Sequence, residues 1–251
     1  MTPADHILTA AVTLSRALAP LLDEPPAPAA AAGDPTAYAR AYYAAYLQLA
    51  ASKPRRVLLV GMNPSLHGQA HTGVPFGDVG VARRLFAGLD LPSLPAAAGI
   101  RKPDGALILH ARGLEYHRGE QSGGRLWSGL EQICGATLHA VLERCCVVNY
   151  CPLVFLDSNG DNVTPEKLHP GPARLALETH CDEHLRTVVA ALQAEVVVGI
   201  GKYAHDGCRR ALAGASDVTA IMRIRHPSPQ AGSAQAWFAE AAPVLAAALG
   251  V

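Results

Sequence analysis

The chain lacks a charge excess. Its 251 residues carry 21 Lys plus Arg against 21 Asp plus Glu, a formal net charge of zero. Bulk nucleic-acid binders usually show a strong basic excess, so that class is disfavoured, while a local basic patch stays open. Lysine is scarce, with only Lys53, Lys102, Lys167 and Lys202. An amine nucleophile for Schiff-base chemistry therefore has few sources, and Lys202 is the one candidate near a strand end. No run approaches the ~18 apolar residues of a membrane span. The opening residues, MTPADHILTAAVTLSRALAPLL, have no basic region and carry Asp5 and His6 early. They read as an amphipathic helix rather than a secretory leader, so no membrane association and a cytoplasmic (prokaryotic cytosol) location are expected. The six cysteines, Cys134, Cys145, Cys146, Cys151, Cys181 and Cys208, form no C-x-x-C pair. Without a leader they read as reduced, buried thiols, and neither a metal nor a cofactor is expected. There is no G-x-G-x-x-G and no Walker phosphate loop.

Half of the residues are apolar. A chain of this length can bury about three quarters of the surface its unfolded form exposes, which excludes disorder and a disulfide scaffold. Residues 5–22 read as a helix, and DEPPAPAAAAGDP after it as a Pro/Ala-rich linker ending in a helix start at Asp34-Pro35. Residues 36–51 read as a second helix with Tyr38, Tyr42 and Tyr46 on one face, a spacing that suits core packing. Four runs rich in Val, Ile and Leu follow at Val57–Gly61, Cys145–Asn149, Val196–Ile200 and Val218–Ile224. Helical stretches are expected over 80–88, 123–134, 164–193, 202–213 and 233–249. Continuous apolar strands separated by helices predict an α/β fold on a parallel sheet covered on both faces. The expected organisation is an N-terminal helix and linker over 1–33 and one α/β domain over 34–251.

In open parallel sheets, ligands bind at the carboxyl ends of the strands. Those ends carry Gly61-Met62-Asn63-Pro64-Ser65 with a loop to Gly73-Val74-Pro75-Phe76-Gly77, then Asn149-Tyr150-Cys151-Pro152, Gly201-Lys202, and His226-Pro227-Ser228-Pro229. Two asparagines, a histidine and a phenylalanine converge on one edge, with no acid expected there except Asp78. Each has a plainer reading: a strand-end Asn often caps a turn by bonding local backbone, and Phe76 alone would suit the core.

The string Gly61-Met62-Asn63-Pro64 … Thr72-Gly73-Val74-Pro75-Phe76-Gly77 resembles the first motif of single-strand-selective monofunctional uracil-DNA glycosylases (the SMUG type), and His226-Pro227-Ser228-Pro229 resembles their second. Gly113-Leu114-Glu115, Ser122-Gly123, Ile133-Cys134-Gly135, Asn149-Tyr150-Cys151-Pro152-Leu153, Asn162-Val163-Thr164-Pro165 and Val197-Val198-Gly199-Ile200-Gly201 fall in the family's order. Gln69-Ala70-His71 resembles the water loop of the classical uracil-DNA glycosylases. The resemblance implies a three-layer α/β/α sandwich on a four-stranded parallel central sheet, with the N-terminal helix as an extension. It implies a monofunctional hydrolase for uracil in single- and double-stranded DNA that releases free uracil in base excision repair, and a monomer is expected.

Carried over residue by residue, the resemblance makes Asn63 the holder of the attacking water. His226 would donate to uracil O2 as negative charge grows there. Asn149 would read the pyrimidine edge and Phe76 would stack on it. The backbone N–H groups of Met62 and Phe76 would help at O2. Ser65 stands where the family carries Gly and would face C5 of the base, either excluding substituents or bonding a hydroxymethyl group. DNA contacts are expected from Asn159, Gly160, Asn162 and Thr164, and from Ser228, Gln230, Gly232 and Ser233. In these loops Gln230 replaces an expected Arg and Asp161 an expected basic residue, which predicts weak, salt-sensitive binding and little preference for paired DNA. Two other readings compete: a catalytically weak binder of deaminated bases, and a glycosylase preferring xanthine or hypoxanthine.

Overall fold

The computed structural model describes residues 1–251. Nine strands run in chain order: β1 Ala31–Gly33, β2 Val57–Gly61, β3 Gly99–Arg101, β4 Leu107–His110, β5 Cys145–Asn149, β6 Val154–Leu156, β7 Asn162–Val163, β8 Val196–Ile200 and β9 Ala220–Ile224. They form two sheets. The central one has the order β5-β2-β8-β9 and is parallel throughout. Three of its strands match the expected runs end to end, and β9 starts two residues later than expected. Strands β2 and β8 are buried at every position, as a sheet covered on both faces requires. Register sets Gly61 opposite Asn149 and Ile200 opposite Ile224, so the strand ends are level. Helices 172–192 and 202–211 pack on each other, the latter also on β8, while helices 121–134 and 234–249 pack on each other, the latter also on β9. The result is a mixed α/β fold with a four-stranded parallel sheet flanked by helices.

The second sheet was not expected. Its order is β4-β3-β1-β6-β7 and its pairings are antiparallel. Residues 31–33, read above as linker, form its middle strand, pairing Ala32 with Phe155 on one side and Arg101 on the other. Its strands are two to four residues long, too short for any period to show. Gly33 makes one pairing possible: a Cβ there would lie 2.6 Å from the Ile100 side chain. The N-terminal helix Pro3–Ala17 buries Ala4, Ile7, Ala11 and Leu14 in the same core as the central sheet.

Three helix readings are corrected. The helix expected over 5–22 breaks at Leu18 into Pro3–Ala17 and Ala19–Asp23. The stretch expected to be helical over 164–193 is a 3-10 turn at Pro165–Lys167 and then a helix from Pro172 to Leu192. His169-Pro170 and Gly171-Pro172 explain the break, because the residue before a proline is pushed out of the helical region. The helix expected over 36–51 breaks at Ala39. Tyr42 and Tyr46 are buried as expected, whereas Tyr38 is only half-buried and donates its hydroxyl to the Ala70 carbonyl at 2.7 Å. All six cysteines are free and buried. No helix is long and apolar enough to cross a membrane.

Candidate active site

Asn63, Ser65, Phe76, Asn149 and His226 line one pocket at the carboxyl edge of the central sheet, together with Glu120 and Ser122. The pocket spans about 260 Å³ of space, part of it open to solvent. Gly61 is the reason the parts can meet. A Cβ on it would fall 2.2 Å from Asn149 Oδ1 and 2.4 Å from Phe76 Cε2, so only a residue without a side chain lets the amide and the ring close over the strand end.

Phe76 pays for its position with strain, its φ being 51°, in the left-handed region. Three contacts hold it there. Its carbonyl accepts from Trp127 Nε1 at 3.1 Å and from the Asp78 N–H at 2.9 Å, and Gly77 N–H closes a turn onto Val74 O at 2.8 Å. Thr72 Oγ1 donates to Gly77 O at 2.9 Å. Helix 121–134 approaches so closely that a Cβ on Gly123 would lie 2.1 Å from the Phe76 carbonyl. The Phe76 and His226 rings stand 5.8 Å apart, tilted by 38°.

The two asparagines present oxygen to the pocket for different reasons. Asn63 Nδ2 lies 3.4 Å from the Pro64 carbonyl and 3.3 Å from that of Leu153, which leaves its Oδ1 to accept. Asn149 Nδ2 donates to Gln69 Oε1 at 2.6 Å. Its Oδ1 is buried without a partner, and so is Ser65 Oγ. Buried polar atoms are rarely left unpaired, so these two mark where a ligand's polar groups would sit. Burial lowers the His226 imidazole to about 4, which makes it neutral at pH 7.

The sequence reading expected no acid here except Asp78. Instead the wall carries Glu120, whose signal was missing because Glu is not a favoured helix cap. It caps helix 121–134 by accepting from the Ser122 N–H at 3.0 Å and from the Gly123 N–H. Burial raises its carboxyl against those bonds. Asp78 lies behind the wall, capping helix 79–85 and accepting the Glu120 N–H at 2.6 Å. Gln69, Glu120 and Trp127 are the supporting residues that sequence reasoning left without a role.

Met62 does not line the pocket; it is half-buried, and its carbonyl accepts from Cys151 N–H at 2.9 Å. Nor do the eight expected DNA contacts. Asn159 and Gly160 form the turn between β6 and β7, pinned by Asp157 Oδ1 accepting from Asn159 and Asp161 N–H at 2.8 and 3.0 Å. Asn162 is exposed on β7, and Thr164 Oγ1 is buried unpaired. Ser228 and Gln230 flank and enter a 3-10 turn, Gly232 ends it with φ of 90°, and Ser233 caps the last helix. Lys202 pairs with Asp206 outside the pocket. Of the arginines open to backbone contact, Arg55, Arg56, Arg83, Arg84 and Arg210 are committed to protein partners. Arg225 is exposed but bonds the Gln230 carbonyl and pairs with Glu240, and Arg209 and Arg223 remain exposed.

Residues 50–246 match the model of the uracil DNA glycosylase superfamily. The chain is 36% identical over 218 residues to the single-strand selective monofunctional uracil DNA glycosylase of Mus musculus, covering 86% of this chain and 75% of the mouse protein. Against the Bos taurus protein of the same description identity is 36% over 202 residues, covering 80% and 71%. The crystal structure of wild-type Pedobacter heparinus SMUG2 shares the fold with a TM-score of 0.64, at 16% identity and over the whole of both chains. The motifs at the strand ends, the sheet beneath them and these similarities agree: the chain belongs to the uracil DNA glycosylase superfamily, alongside its SMUG-type members.

Proposed function

We propose that this pocket takes an extruded uracil from DNA and hydrolyses the bond between its N1 and the sugar C1′, as a monofunctional glycosylase. The observation that carries this reading is the unpartnered Asn149 Oδ1 beside the Phe76 ring. Uracil offers an N3–H donor to that oxygen, and its flat ring fits against Phe76. Such stacking is worth about 1–3 kcal/mol per base.

The chemistry follows from the remaining groups. Asn63 Oδ1 accepts a hydrogen bond from the attacking water and aims it at C1′. An amide is too weak a base to do more, which suits a reaction in which the base departs before water closes in. The departing pyrimidine gathers negative charge on N1 and O2. The neutral His226 imidazole donates its N–H to O2, a preorganised contact typically worth about 3–4 kcal/mol. The backbone N–H of Phe76, which lines the pocket, enters no backbone hydrogen bond, which leaves it free to support the same oxygen. The C1′–N1 bond breaks with its electron pair leaving on the uracil anion, the water oxygen bonds to C1′, and the proton that the water sheds ends on the uracil, giving free uracil and an abasic sugar. Ser65 Oγ, buried and unpaired, extends the reading to uracils carrying a polar group at C5.

The loops of Asn159–Thr164 and Ser228–Ser233 hold the DNA on either strand form, weakly, with Gln230 and Asp161 in place of cations. Lys202, paired with Asp206, takes no part, so no lyase step follows. The protein acts as a monomer in the prokaryotic cytosol, a compartment suited to its six free thiols. A uracil-containing oligonucleotide incubated with the protein and then treated with alkali should be nicked at the uracil. Tight binding without any abasic product would return the assignment to a silent binder. A panel of single-lesion oligonucleotides tests xanthine and hypoxanthine against uracil.

A further inference from the structure

Gln69 sits on a single helical turn beneath the pocket and is buried to 2% exposure. Its side-chain amide joins two groups. Nε2 reaches the Gly73 carbonyl at 3.5 Å, and Oε1 accepts from Asn149 Nδ2 at 2.6 Å. A backbone carbonyl can only accept, so the order of donors and acceptors is set at Gly73 and passed upward. The Gln69 nitrogen must face Gly73, its oxygen must face Asn149, and the Asn149 nitrogen must face Gln69. That leaves Asn149 Oδ1 turned away and unpaired. If Asn149 turned over, two amide oxygens would meet. If Gln69 turned with it, its oxygen would meet the Gly73 oxygen. Gly73 is itself fixed, with φ of 69° and the Ala39 carbonyl 3.1 Å from where its Cβ would stand.

We propose that Gln69 is a specificity-determining positioning residue that holds the Asn149 amide in the orientation that accepts uracil and refuses cytosine. This rests on the reading that Asn149 faces the base. With Oδ1 presented, uracil N3–H finds an acceptor, and the second Nδ2 proton meets uracil O4. Cytosine presents a lone pair at N3 and an amine at C4, so both contacts become repulsive or unpaired, the kind of mismatch that discriminates strongly. An Asn149 free to turn over would pair with cytosine equally well.

The test is binding, separate from turnover. Single-stranded oligonucleotides carry either 2′-fluoro-2′-deoxyuridine or 2′-fluoro-2′-deoxycytidine, which resist cleavage, and a third carries a tetrahydrofuran abasic analogue to report backbone grip. Gln69→Leu should cut the uracil-over-cytosine affinity ratio at least tenfold while binding of the abasic oligonucleotide stays unchanged. Gln69→Glu, protonated in this buried site, keeps an acceptor toward Asn149 and an O–H donor toward Gly73 and should retain most of the ratio, which covers the case in which the leucine variant fails to fold. In the Asn149→Ala background, Gln69→Leu should have no further effect on the ratio. A wild-type ratio in Gln69→Leu, while Asn149→Ala loses it, overturns the role of Gln69 alone. An equal loss in the Asn149→Ala background also overturns it, because the effect then bypasses Asn149. A ratio unchanged by Asn149→Ala itself overturns the base-reading assignment beneath it.

Discussion

The floor of the pocket and the rim around it are built to different standards. On the floor, Phe76 is held by Trp127, Asp78 and Gly77, Asn149 by Gln69, and Asn63 by two backbone carbonyls. Each of these stands on or beside a strand end of a buried parallel sheet. The rim, as proposed, is the pair of DNA-holding loops, the turn around Asn159 and the turn around Gln230, both exposed. The first is organised by Asp157 and presents Asp161, and the second spends Arg225 on the Gln230 carbonyl and Glu240. On the proposed function, reading a base and gripping a phosphate backbone are separate tasks, one heavily reinforced and the other lightly equipped.

The sharpest way to break this comparison is to attack the floor. Asn63→Ala and His226→Ala should each lower the single-turnover rate on a uracil oligonucleotide at least a hundredfold, on the order of 3 kcal/mol of transition-state stabilisation. Binding of an uncleavable uracil analogue should change far less in Asn63→Ala. Rates within a few-fold of wild type would take these two side chains out of the chemistry.

The floor was largely legible in the sequence, and the contrast with the rest has a physical cause. Four runs rich in Val, Ile and Leu located the strands, and the topology of parallel sheets then told where to look. Asn63, Phe76, Asn149 and His226 stood out because they sit at those ends in Gly- and Pro-rich contexts. What holds them was not legible. Gln69 reaches the pocket through a hydrogen bond to Asn149, 80 residues along the chain, Glu120 is an uncommon helix cap, and Trp127 looks like any core aromatic until its Nε1 is seen on the Phe76 carbonyl. The second sheet escaped because β1 is Ala-Ala-Gly and pairs with strands some 70 and 120 residues away. No local pattern encodes such pairing. The helix expected from Thr164 failed for the opposite reason: a good local start was overruled by two prolines a few residues on.

Phe76→Ala should come next in size. Losing about 1–3 kcal/mol of stacking should weaken binding of an uncleavable uracil oligonucleotide by roughly 5- to 150-fold. The abasic oligonucleotide should bind as before, because the ring serves the base and not the backbone. Equal weakening for both would mean that the strained loop, rather than the ring, carries the effect.

The rim should respond in the opposite direction. Gln230→Arg and Asp161→Lys add cations in the loops proposed to hold DNA, and each should steepen the salt dependence of duplex binding by up to ~1 in the log–log slope. At low salt this corresponds to a several-fold gain in affinity, with the single-turnover rate on bound substrate unchanged. A gain in that rate instead would tie rim and floor together and undo their separation.

The smallest expected effect is on the pH profile of the chemical step, and it follows from how the floor is buried. His226 is held at about 4 by burial, as are His71, which stacks on Tyr116 at 3.6 Å, and His184. Down to that pH the folded protein keeps all three uncharged, whereas an unfolded chain protonates them near ~6.5. Between about 6.5 and 4 the unfolded state therefore binds more protons. The stability these neutral imidazoles permit is complete above that window and is lost as pH falls through it. The melting temperature should drop as pH is lowered from 7 toward 4.5, while the single-turnover rate of folded enzyme stays level from pH 8 to 5.5, because the donor to O2 is the neutral imidazole throughout. A rate step centred near 6.5 that vanishes in His226→Gln would mean that this ring titrates as if in water, and the closed floor would then have to be open to solvent.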